Sequence, residues 1–312
     1  REERGEGDPL IIGGGPGSYN PEPLADFFDL FLLGEGEEAV LEIMAQIANG
    51  KKMGWSKQAI KEELLKIDGV YLPEYYSIEY TDEGRIAAIN PLPPAPPVVR
   101  KRVVRDFDRA YLPQKELVPW VEPVHDRAMV ELFRGCTRGC RFCQAGMVYR
   151  PVRERSPAVL TDYLKKIIAQ TGYEEISLTS LSSADYTKIE EIMGSLADCF
   201  AAQKVRLSLP SLRIDSFSPE LAAHFQGERK GGLTFAPEAG TERLRRVINK
   251  NLTDEQILQT TEAAFTAGWQ RLKLYFMIGL PTETDQDLQG IVDLARAILV
   301  VGRRVHGPKA GR

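Results

Sequence analysis

Three cysteines, Cys136, Cys140 and Cys143, stand within eight residues of one another in the stretch FRGCTRGCRFCQAG. The chain has only one other cysteine, so this is not a disulfide framework, and clustered thiols in a large, charged chain point to metal binding. Structural zinc takes four ligands, and no fourth Cys or His lies close in sequence. A redox C-x-x-C uses two thiols and leaves Cys136 without a task. A [4Fe-4S] cluster held by three thiolates keeps one iron open, and the amine and carboxylate of a small molecule can chelate an open iron. Gly135 and Gly139 let so short a loop wrap one cube, and Arg134, Arg138 and Arg141 are placed to offset the thiolate charge.

The elements around the loop alternate. AMVELFRG reads as a strand that delivers the cysteines, and Ser156-Pro157 as the cap and first position of the helix after them. Strands follow at EEISLTSL, VRLSLPSL, GGLTFAPE and RLKLYFMIGL. Helices are expected over about 187–202, 219–225, 241–250, 253–267 (Thr253 and Gln256 forming a capping box) and 285–301. Five β-α repeats argue for a parallel sheet with right-handed crossovers, whose active end is at the strand C-termini. The strand tips carry Cys, Ser, Arg and Glu, as an active end requires.

The first 125 residues are different. LIIGGGPG and DLFLLGEGEE read as strand-to-glycine-turn units, the second feeding a helix over 37–49. Val40, Leu41, Ile43, Met44 and Ile47 are its expected apolar face, with Gly50 as cap. A helix capped by Ser56, a hairpin over 75–90 and the proline-rich PLPPAPP complete a connecting segment. Domains are expected at 1–50, 51–125 and 126–312.

C-x3-C-x-Φ-C, with Phe142 as the aromatic, resembles the signature of the radical S-adenosylmethionine (SAM) superfamily. The longer string FRGCTRGCRFCQAGMVYRPVRERS is similar to radical SAM proteins with an N-terminal cobalamin-binding-type domain. The resemblance implies an α/β chain: a partial (β/α)6 radical SAM barrel, about five of six βα units present, preceded by the C-terminal part of a doubly wound cobalamin-binding-type domain. It implies a [4Fe-4S] cluster on Cys136, Cys140 and Cys143, with SAM on the open iron. Reductive cleavage of SAM then gives methionine and a 5′-deoxyadenosyl radical. The substrate (small molecule, RNA or protein) is left open, with methyl or methylthio transfer among the implied reactions, and no catalytic residue is assigned. A low-potential electron donor such as flavodoxin or ferredoxin is implied.

Where family members carry a glycine-rich, Glu-ending turn for the SAM amino group, this chain has Ser182, Ser183 and Asp185, which can also accept from an ammonium. Arg213 is expected on the SAM carboxylate, with pairing to Asp215 as the alternative. Glu238 is expected on the ribose hydroxyls, and Met277, Ile278, Gly279 and Leu280 as an apolar wall for adenine. Gly13, Gly14 and Gly15, with Gly34, Glu35, Gly36 and Glu37, match late elements of the cobalamin domain. The Asp-x-His-x-x-Gly segment for a lower cobalt ligand is not in this sequence, so cobalamin is implied for a full-length protein and not for this chain alone. Missing an initiator methionine and a sixth barrel strand, the chain reads as a fragment.

Other chemistry-bearing residues read as structural: Cys199 as core, His125 and His224 as scaffold, and Arg245 and Arg246 as a solvated helix face. Net charge of −4 gives no electrostatic footprint for nucleic acid. There is no apolar run of about 18 residues, hence no expected membrane helix, and a cytoplasmic setting is expected. A non-catalytic iron–sulfur or zinc scaffold or sensor is the alternative; it needs a fourth protein ligand and no SAM contacts.

Overall fold

The computed structural model describes residues 3–121, 123–210, 213–216 and 233–307. The chain divides into two compact units, Arg1–Tyr111 and Leu112–Arg312. That boundary joins the expected 1–50 piece and most of the connecting segment into one body, because both share a core.

In the first unit β1 (Ile12–Gly13) pairs in parallel with β2 (Leu30–Leu32). Helix α1 (Gly36–Lys52) and helix α2 (Lys57–Leu64) precede β3 (Val70–Tyr71), which closes the sheet antiparallel to β2. Ser56 caps α2 as expected, accepting from the Ala59 amide at 3.2 Å. Two expectations for α1 fail. Gly50 lies inside the helix, where a Cβ would come within 2.5 Å of Ile60, so its smallness lets α2 pack close. Of the expected apolar face only Ile43 is buried, with Ala39 beside it, while Val40, Leu41 and Met44 are exposed. A hairpin of β4 (Tyr76–Tyr80) and β5 (Ile86–Pro91) follows as read from the sequence.

The second unit starts with β6 (Ala128–Glu131). A short antiparallel clip, β7 (Phe133–Arg134) with β8 (Arg153–Glu154), then brackets the cysteine loop and the one-turn helix α3 (Ala145–Val148). Helix α4 (Pro157–Thr171), capped by Ser156, leads to β9 (Glu175–Thr179); helix α5 (Ile189–Phe200) leads to β10 (Arg206–Ser208). These strands form a parallel sheet in the order β10-β9-β6. Then come β11 (Leu233–Glu238), helix α6 (Glu242–Val247), helix α7 (Asp254–Thr266) with the Thr253/Gln256 capping box, β12 (Leu272–Phe276) and helix α8 (Asp285–His306). β11 and β12 make a parallel pair; among the described residues it is not hydrogen-bonded to the other sheet, so no closed barrel is drawn. The helix expected over 219–225, with His224, lies outside the described residues.

Strand alternation places the site. Ala128, Val130, Ile176, Leu178, Leu233 and Phe235 point into one apolar core with the helices, where Leu160, Leu164, Ile167, Ile192 and Leu196 are completely buried. Cys199 packs at its margin. The opposite strand faces carry polar groups, and their C-terminal ends converge on the cysteine loop.

Candidate active site

All three loop cysteines are free, half-buried and line one cavity of about 710 Å³, a volume ordinary for small-molecule sites. Gly135 makes the loop possible. Its φ is +100°, and a Cβ would stand 2.8 Å from the carbonyl oxygens of Tyr149 and Pro151. Backbone amides approach two sulfurs: Arg138 N lies 3.5 Å from Cys136 Sγ, and Gly146 N lies 3.4 Å from Cys143 Sγ. Three thiols with amide donors around them are a donor set that suits an iron–sulfur cluster. Among the described residues no three His, Cys, Asp or Glu side chains converge to hold a single metal ion.

The strand tips supply the rest of the wall. Phe142, Ser182, Arg213 and Glu238 all line the cavity with the cysteines. Ser182 donates to Asp185 at 2.6 Å. Arg213 forks onto Asp215 at 2.9 and 3.1 Å, the alternative pairing considered from sequence, yet its side chain still faces the cavity. Glu238 adopts φ +70°, a left-handed conformation that costs a non-glycine residue about 1–3 kcal/mol and is retained mostly at functional positions. Its carboxylate accepts from Lys250 at 3.1 Å, and its carbonyl accepts from the Met277 amide at 2.8 Å.

Several expected ligand residues stand elsewhere. Ser183 is fully buried with its hydroxyl donating to Leu178 O at 3.1 Å, so it pins the turn rather than reaching a ligand. Asp185 is engaged by Arg138, 2.9 Å from its Nε, and does not line the cavity. Met277, Ile278, Gly279 and Leu280 do not line the cavity. Leu280 is buried against Ala239, Leu244 and Ile248, Met277 packs on the same cluster, Ile278 is 76% exposed, and Gly279 donates to Glu283. The β12 residue that lines the cavity is Tyr275, on the face opposite the core-packed Leu272, Leu274 and Phe276.

The arginines meet the expectation in part. Arg134 makes a two-pronged pair with Glu131 at 3.0 and 2.8 Å, Arg138 bridges Asp185 and Asp215, and Arg141 donates to Val247 O. Arg134 is directed at a carboxylate and Arg141 at a carbonyl, while Arg138 combines its two carboxylate partners with an electrostatic attraction to Cys136, whose sulfur its amide also approaches. Arg245, expected on a solvated face, has no exposure at all: it donates to the carbonyls of Leu252 (2.8 Å), Ala239 (3.1 Å) and Gly240 (3.4 Å) and pairs with Asp254. His125 and Lys250 line the cavity and were missed. No local pattern marks Lys250; Tyr275 was legible from alternation along its strand.

In the first unit, the glycine loops proposed for cobalamin have packing reasons. A Cβ on Gly13 would meet the Phe31 ring at 2.6 Å, and one on Gly34 would strike the Arg102 backbone at 2.2 Å. The buried Glu35 carboxylate accepts from the Val104 amide at 2.6 Å.

Comparison with known proteins identifies the family and the fold. The radical SAM superfamily profile matches residues 130–295, and that for the N-terminal region of radical SAM proteins matches residues 1–73. The uncharacterized protein MJ0966 of Methanocaldococcus jannaschii is 30% identical over 95% of this chain, which spans 58% of that protein's length. A tRNA-2-methylthio-N(6)-dimethylallyladenosine synthase of Desulforamulus reducens is 24% identical over 55% of this chain and 39% of its own. Among solved structures, the radical SAM methyltransferase TsrM of Kitasatospora setae aligns with a TM-score of 0.59 at 17% identity, over 93% of this chain and 53% of its own. The cobalamin-dependent radical enzyme OxsB aligns at 0.62 and 14% identity, over 91% and 38%. These likenesses show the fold.

Proposed function

This chain belongs to the radical SAM superfamily, and on that premise we propose that it carries the catalytic core of an enzyme that holds a [4Fe-4S] cluster on Cys136, Cys140 and Cys143 and cleaves SAM reductively. The observation that carries the reading is the sharing of one cavity by the three free thiols, Arg213 and Glu238. When bound, the cluster supplies one electron to the sulfonium of SAM, whose bond to the ribose 5′-carbon breaks to give methionine and a 5′-deoxyadenosyl radical.

The chain's own groups bind and orient. Arg213, with Asp215 fixing its plane, donates to the SAM carboxylate. Glu238 accepts from the ribose hydroxyls, with Lys250 holding its carboxylate in place. Phe142 and Tyr275 supply apolar surface that keeps water from a reactive radical. Ser182 faces the SAM amino group in place of a glutamate.

Methyl or methylthio transfer is the reaction class we favour, because relatives of both kinds match the core. The acceptor is a small molecule, an RNA or a protein. The electron comes from a low-potential donor such as flavodoxin or ferredoxin. Four free thiols fit a reducing cytoplasmic setting. Among the described residues no helix is long and apolar enough to cross a membrane. Cobalamin is assigned no residue here. Anaerobic reconstitution tests the cluster: about four irons per chain are expected, and a Cys136→Ala/Cys140→Ala/Cys143→Ala variant should retain none. Equal iron in the triple variant would refute the reading.

A further inference from the structure

The cysteine loop does not lie free against the strand ends. Its middle is docked on the turn after α6 by three bonds. Asn249 Nδ2 donates to Gly139 O at 2.9 Å, the Arg141 amide donates to Ile248 O at 2.9 Å, and the Arg141 guanidinium donates to Val247 O. Gly139 and Arg141 flank Cys140, so these contacts fix the central thiol's backbone from both sides. A Cβ on Gly139 would sit 3.5 Å from Asn249 Nδ2, which shows how closely the two segments approach.

The turn is itself rigidly held. Arg245, fully buried, ties the carbonyls of Ala239, Gly240 and Leu252 together, gripping the chain on both sides of it. Asn249 has φ +57°, which few residue types other than Gly, Asn and Asp adopt readily. The next residue, Lys250, is 7% exposed and reaches Glu238 at 3.1 Å. Adjacent residues of one turn therefore hold the cysteine loop and the acidic strand tip.

We infer that the turn Val247–Lys250 is a brace that sets the cysteine loop and Glu238 at a fixed separation, with Asn249 as the positioning residue for the loop. The inference rests on the cluster assignment above. It gives Asn249 a task that none of the candidate ligand residues performs. Its side chain reaches Gly139 O, so it acts through the backbone between Cys136 and Cys140.

Two variants separate the hydrogen bond from the backbone. Asn249→Gly keeps the left-handed conformation and deletes the donor. Asn249→Asp keeps shape and conformation but turns an acceptor toward Gly139 O. Both are reconstituted anaerobically beside the wild type, and iron release to a ferrous chelator is timed, with melting of the cluster-free proteins as the folding control. Release should quicken about fivefold in Asn249→Gly, the change one lost hydrogen bond carries, and more in Asn249→Asp. The reduced cluster's electron paramagnetic resonance line should broaden in both, while cluster-free melting stays near wild type. Release rates and spectra equal to wild type in both variants would overturn the brace. So would faster release accompanied by an equal loss of cluster-free stability. A wild-type protein that takes up no cluster would instead refute the cluster assignment.

Discussion

Among single residues, Asp287 and Arg245 matter most to the frame. Asp287 is 2% exposed and sits in the first turn of α8. Burial alone would push its pKa up, but donors from Arg243, Thr241 and Thr284 outweigh it and hold the carboxyl well below the usual range. A carboxylate whose pKa is lower folded than unfolded contributes its stability in full above the unfolded value, about 4. That contribution begins to fall below this value and is fully lost only once pH passes through the much lower folded one. Asp287→Asn should therefore be less stable than wild type at pH 7, and the gap should begin to narrow as pH falls below about 4, measured by urea unfolding from pH 7 to 3. Replacing Arg245 by Met leaves three buried carbonyls short of a donor and should cost on the order of 3 kcal/mol in the same assay. An unchanged urea midpoint would remove Arg245 from the frame. Sequence reading put this arginine in solvent because its helical neighbour Arg246 is there and nothing local distinguishes them; burial of Arg245 depends on carbonyls of the β11 turn and the segment after α6.

Among elements, the clip β7–β8 closes the base of the cysteine loop. Gly135 is its tightest point, so Gly135→Ala should cost about 2–4 kcal/mol through left-handed strain and overlap with two carbonyls. Circular-dichroism melting checks this, and a melting temperature unchanged from wild type would mean the loop relaxes freely. The repeating strand-helix order, the caps at Ser56, Ser156 and Thr253, and the place of the cysteines at a strand end were all legible, because they follow from periodicity and short-range hydrogen bonding. The split of one expected strand into β6 and β7 was not, nor was the packing of Leu280 away from the cavity. Both depend on what lies across the fold: Leu280 is claimed by Leu244 and Ile248 before any ligand could meet it. Glu238 was legible as a strand-tip acid, but its partner Lys250 was not, being twelve residues on with a turn of helix between.

At the scale of the whole molecule, among the described residues, the stretch that links the two cores in sequence is strongly exposed. Leu117, Trp120 and Val124 are essentially uncovered, and Lys115 beside them is exposed. Limited trypsin digestion should cut first after Lys115, releasing a fragment that begins near residue 116 and contains the cysteine loop. First cleavage inside either core would contradict the two-unit description. Reductive cleavage of SAM is the activity proposed for the second unit when it is loaded. Its most direct test is product analysis after anaerobic incubation of the reconstituted protein with dithionite and SAM, set beside the triple cysteine variant. The wild type should yield 5′-deoxyadenosine and methionine and the variant neither; wild-type protein carrying a full cluster but leaving SAM intact, or a variant that cleaves it equally well, would contradict the account.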